Sequence, residues 1–215
     1  MRPARSVLVA VTMIGLLASC GAGSSSGKVP AESSPSGRAL TVYAIGGSAT
    51  EGDGVPDRLR DAWPYLVFHN AFPASTVFVN GALDNATVRN AIGAQVPLAA
   101  QLKPDVVEVW LGADDVLTAT PIPEFTSNFT ELISALQSAG AGRIIVADLP
   151  TAFGAAVPAY NAAIHTVVSR AHLELVSLAS TAITLAPTDG LPPQPDAAGH
   201  KLIAAAFEKE IARRK

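Results

Sequence analysis

The segment Gly46-Gly47-Ser48-Ala49-Thr50-Glu51-Gly52-Asp53-Gly54 places four glycines in nine residues around a serine and a threonine. A backbone that rich in glycine can close tightly on a ligand, and it can equally be a plain turn. Three chemistries use such loops: phosphate cradling, dinucleotide binding and serine attack. No Gly-Lys-Ser/Thr follows, so the phosphate loop fails, and the dinucleotide spacing is absent as well. The G-x-S-x-G elbow fails because Thr50 stands where its last glycine belongs. The pattern present is G-x-S-x-T-x-G, through Gly46, Ser48, Thr50 and Gly52. Asp114-Asp115 is the other local concentration of chemistry, but no clustered histidine or further carboxylate completes a metal site around it.

Ser48 must be held by whatever precedes it, and Leu40 to Ile45 reads as a short buried strand. Four more runs have that character: Thr76 to Val79, Val106 to Leu111, Arg143 to Ala147 and Leu173 to Leu178. Helical segments fall between and after them, at Arg58 to Phe72, Ala86 to Leu102, Pro123 to Ser138, Pro158 to Ala171 and Ala197 to Arg213. Pro97 is expected to kink or shorten the second of these. Strict alternation of strand and helix predicts an α/β fold, a three-layer α/β/α sandwich around a mainly parallel five-stranded sheet. Ligands in such folds gather beyond the carboxyl ends of the strands, where Ser48 and Asp114 lie.

Several segments in order resemble the SGNH or GDSL hydrolases, whose sheet is flavodoxin-like. The Ser48 loop is similar to their first block, Asn80 to Val88 (NGALDNATV) to the second, and Gly112-Ala113-Asp114-Asp115 to the third, G-x-N-D. Asp189 to Ala204 resembles the last block, a D-x-x-H followed by a helix. Phrases such as Asp61-Ala62-Trp63-Pro64 and Val109-Trp110-Leu111-Gly112 agree with actinobacterial members. The resemblance implies ester hydrolysis with Ser48 as nucleophile. It implies an oxyanion hole from the N–H groups of Ser48 and of the block-two residue, here Asn85, with the block-three side chain, here Asp114. It further implies Asp189 as the residue that orients a histidine base.

Two of those positions depart from the family pattern. Asp114 replaces an asparagine, and an ionised carboxylate has no proton to give to a developing oxyanion. It could donate only if burial kept it neutral. In the run Gln194-Pro195-Asp196-Ala197-Ala198-Gly199-His200 the glutamine stands in the base's place, and an amide does not accept the serine proton. His200 could replace it only through a rearranged path of the Pro192-Pro193 loop; otherwise it packs at the start of the last helix. His69, His165 and His172 fall within or at the ends of helices. Asn85 in place of a glycine keeps its N–H and tolerates left-handed backbone. The expectation is an esterase-like protein of impaired turnover, or a non-catalytic envelope protein that uses the same pocket for an acyl, glycan or protein ligand.

The N-terminus supplies an address. Arg2 and Arg5 precede an apolar run from Val7 to Leu17, followed by Ala18-Ser19-Cys20. This reads as a signal peptide over residues 1–20, too short in its apolar part to span a bilayer. Leu17-Ala18-Ser19-Cys20 resembles a bacterial lipobox, which implies lipid on Cys20 and an extracytoplasmic protein anchored to the membrane. Residues 21–38, dominated by Gly, Ser, Pro and Ala, read as a flexible tether to a domain over 39–215. Cys20 is the only cysteine among 215 residues, which excludes an intrachain disulfide. A net charge of −3, falling to −5 without residues 1–20, argues against a nucleic-acid partner. No metal or organic cofactor is implied, and a monomer is expected.

Overall fold

Val42, Tyr43, Ala44 and Ile45 are wholly shielded from solvent, as are Val107 and Val109, because these runs lie in strands covered on both faces. In this computed structural model residues 38–188 and 191–213 are described. The signal segment 1–20 with Cys20, the tether apart from Arg38, and Asp189 lie outside the described residues.

In chain order the elements are β1 (Thr41–Gly46), α1 (Ser48–Glu51), α2 (Arg58–Asp61), α3 (Trp63–Ala71), β2 (Val77–Asn80), α4 (Val88–Ala94), α5 (Val96–Leu102) and β3 (Val106–Trp110). Then come α6 (Ala113–Leu117), α7 (Ile122–Ser138), β4 (Arg143–Ala147), a 3₁₀ turn (Thr151–Phe153), α8 (Val157–Arg170), β5 (Glu174–Val176), β6 (Leu185–Thr188), β7 (Leu191–Pro195) and α9 (Ala197–Ala212). The first five strands form one parallel sheet in the order β2-β1-β3-β4-β5. This is the doubly wound α/β arrangement expected from the alternation of elements.

Trp63 of α3 stacks on Phe207 of α9 and meets Trp110 of β3 edge-on, which seals one layer of helices to the sheet. Phe125 of α7 packs edge-on against Tyr160 of α8 within the other helical group. Among the described residues no helix is long and apolar enough to cross a membrane.

A proline accounts for one difference from the sequence reading. The segment expected as one helix from Arg58 to Phe72 breaks at Ala62, whose backbone is extended, and restarts with Pro64 in the first turn of α3. A proline there lacks only an N–H that the first turn does not use, whereas mid-helix its ring would strike the carbonyl four residues back. Pro97 divides α4 from α5 in the same way, the shortening expected of it. The antiparallel pair β6 and β7 was not expected, since Pro192, Pro193 and Pro195 argue against a strand. A two-stranded ribbon consists only of edges, where missing ladder donors are tolerated.

Candidate active site

Ser48 is the first residue of α1, immediately beyond β1, and is almost entirely buried. The glycines around it are demanded by close approach. A Cβ on Gly46 would sit 2.0 Å from Thr50 Oγ1, and one on Gly47 would sit 2.5 Å from Asp114 Oδ2. Thr50 Oγ1 accepts the indole N–H of Trp63 at 3.3 Å, and Asn80 Nδ2 donates to the Thr50 carbonyl at 2.8 Å. The side-chain amide of Gln95 clamps Gly46, accepting from its N–H at 3.0 Å and donating to its carbonyl at 2.9 Å. The spaced Gly, Ser, Thr and Gly of the sequence are therefore one braced turn that presents a hydroxyl.

Asn85 donates its backbone N–H to Ser48 Oγ at 2.9 Å, from the left-handed conformation (φ 56°) that asparagine tolerates. Asp115 Oδ2 accepts the Val88 N–H at 2.9 Å, which fixes the chain just beyond Asn85. The sequence reading brought Ser48, Asn85 and Asp114 to one site, and they meet there.

Ser48 and Asp114 line a cleft with Gly47, Thr50, Phe153 and Gln194 among the other walls. The space it encloses, counted out to its open mouth, is about 310 Å³. Leu149 and Phe153 were not anticipated as walls. Leu149 follows the strand end of β4, a position that the strand-end rule flags, whereas Phe153 sits in a short 3₁₀ turn without a sequence signal.

Burial, with Asp115 and Asp84 nearby, pushes the Asp114 carboxyl from its usual range up to about 6. At neutral pH the charged form then prevails, so Asp114 is not a standing donor to an oxyanion. Gln194 is buried and its Nε2 donates to the Pro192 carbonyl at 3.2 Å. It does line the cleft beside Ser48, in the place that the resemblance gives to the base.

His200 requires a correction, because it does not reach the site. It is wholly buried, its Nδ1 accepts the Trp63 N–H at 3.1 Å, and its Nε2 donates to the Asp53 carbonyl at 3.0 Å. With both nitrogens committed to backbone, and burial lowering its affinity for a proton, it is a brace between α3, α9 and the serine turn. Replacing His200→Leu leaves a buried N–H and a buried carbonyl unpaired and is expected to destabilise the fold by about 2–4 kcal/mol in urea unfolding. Loss of ester hydrolysis at unchanged stability would contradict that bracing role. His69 and His172 are exposed, and His165 Nε2 lies 2.8 Å from Asp148 Oδ2. No imidazole lines the cleft, and among the described residues no cluster is fit to hold a metal ion.

Comparison with known proteins agrees with this geometry. A model of the GDSL-like lipase/acylhydrolase family matches residues 44–202. An arylesterase of Vibrio mimicus is 27% identical over 107 residues, covering 49% of this chain and about half, 52%, of that protein. The esterase EstA of Pseudoalteromonas sp., solved with monoethylphosphonate as inhibitor, aligns with a TM-score of 0.66 at 20% identity, over 80% of this chain and 97% of its own. A family 3 carbohydrate esterase of Clostridium thermocellum aligns with a TM-score of 0.66 at 19% identity, over 80% and 94% of the two chains.

Proposed function

The chain belongs to the GDSL-like lipase/acylhydrolase family, and on that footing we propose that it hydrolyses esters of short acyl groups, glycan-borne ones included, through an acyl–Ser48 intermediate. The observation that carries this reading is the 2.9 Å contact from the Asn85 N–H to Ser48 Oγ inside a cleft. A hydroxyl so held, with backbone donors beside it, is equipped for acyl transfer. Turnover is slow by the family's measure, because Gln194 and Asp114 stand where the resemblance places a histidine and an asparagine. The protein acts as an extracytoplasmic monomer of the bacterial envelope, held at the membrane by lipid on Cys20.

The competing reading is a binding protein without turnover, and the glutamine in the cleft is what favours it. A serine-directed phosphonate separates the two. Stoichiometric labelling of wild type, none in Ser48→Ala, and loss of p-nitrophenyl acetate hydrolysis in that variant are expected. A wild type that resists the label and hydrolyses no faster than Ser48→Ala leaves the binding reading in possession.

A further inference from the structure

Acyl transfer to Ser48 needs a group that takes the hydroxyl proton. None of the four histidines lines the cleft, and the Gln194 amide is not basic. Among the described residues that line it, Asp114 alone carries an ionisable carboxyl. That carboxyl is held against the serine turn, close enough that a Cβ on Gly47 would come within 2.5 Å of Oδ2. Asp114 and Ser48 share no direct hydrogen bond, but they line the same cleft, which has room for water.

Resting on the hydrolase reading above, we infer that Asp114 is the proton acceptor of this site and draws the Ser48 proton across one bridging water. As Oγ bonds to the ester carbonyl carbon, its proton passes to the water and a proton of that water passes to Asp114. The carbonyl oxygen becomes the oxyanion. On collapse the bond to the alcohol oxygen breaks, and the proton held by Asp114 leaves with the alcohol. A second water then attacks the acyl carbon and gives a proton to Asp114. The Oγ–acyl bond breaks, the proton returns to Oγ, and the carboxylic acid departs.

The same route answers the charge problem at this position. A carboxylate that has just been protonated is neutral and can donate to the oxyanion formed in that step. Its tuning fits the task as well, since burial and the nearby Asp115 and Asp84 carboxylates bring it to about 6, close to a working pH.

The test is p-nitrophenyl acetate hydrolysis by the full chain as wild type, Ser48→Ala and Asp114→Asn. Asp114→Asn restores the side chain that the family resemblance expects, so two views of this residue predict opposite signs. As proton acceptor, its loss lowers kcat about 10²–10⁴-fold with KM little changed. Wild-type kcat also rises through pH 6 to a plateau, a limb that Asp114→Asn lacks. An Asp114→Asn protein as fast as wild type or faster overturns the inference and leaves the hydrolase reading standing. A wild-type rate that falls as pH rises through 6 does the same, by showing the neutral acid to be the useful form, and needs no variant to fold. Hydrolysis that is absent or indifferent to Ser48→Ala removes the hydrolase reading and this inference together.

Discussion

At pH 8 the Glu108→Gln protein is expected to be more stable than wild type by about 4 kcal/mol, and near pH 4 the two should be almost equal. Glu108 lies at the centre of β3, paired with Ala44 on one side and Ile145 on the other. It is wholly inaccessible, and neither carboxyl oxygen has a hydrogen-bond partner. Burial alone pushes its carboxyl from 4.5 up to about 8. The folded protein therefore holds a proton that the unfolded chain releases above pH 4.5. Stability is full below 4.5 and falls as pH rises, until the folded carboxyl itself ionises near 8. Each pH unit in that window costs about 1.4 kcal/mol.

Glutamine has the shape of the neutral acid and no proton to lose, so the slope due to this residue disappears with the substitution. For a domain of this size the difference at pH 8 amounts to roughly 10 °C in Tm. Thermal unfolding of both proteins from pH 4 to 9 reads it, and subtracting the curves cancels every other titrating group. Curves that run parallel across that range would mean that Glu108 finds solvent or a partner.

Glu108 also shows what a sequence does and does not disclose. A lone acid in Val-Val-Glu-Val-Trp is visible at once, and strands of a parallel sheet are buried on both faces, so its burial could have been read without coordinates. The strands themselves were legible for that reason, and the parallel five-stranded sheet followed from their alternation with helices. Pro64 and Pro97 both mark helix boundaries, each in the first turn of a new helix. Gln194 is different. Its ribbon is made of proline-rich chain with no strand pattern, and its place in the cleft followed only from the resemblance of the Gln194–His200 run to the family's last block.

The roles of His200 and Asp114 could not be read from local pattern. His200 is fixed by Trp63, 137 positions earlier, and by Asp53, 147 positions earlier. Asp114 owes its altered affinity for protons first to burial, then to its neighbour Asp115 and to Asp84, 30 positions earlier. His200 depends on groups that adjoin only after folding, and Asp114 depends chiefly on a burial that the fold creates.

If Asp114 and Gln194 form a functional pair, then Asp114→Asn should change sign with its partner. In the natural Gln194 background the substitution removes the proton acceptor inferred above and costs about 10²–10⁴ in kcat. In a Gln194→His background an imidazole stands on a wall shared with Ser48 and can take the proton itself. The Asp114 carboxylate is then only a negative charge beside a developing oxyanion. Asparagine there supplies a donor instead, worth about 10²–10³ in kcat. The two effects differ by four powers of ten or more, far beyond the few tenths of a kcal/mol by which independent sites fail to add. Gln194→His alone should gain less than the double variant, because the charge remains. Steady-state hydrolysis of p-nitrophenyl acetate by the four proteins closes the cycle. An Asp114→Asn substitution that slows both backgrounds, or speeds both, would show that these two cleft residues do not divide the proton and oxyanion work between them.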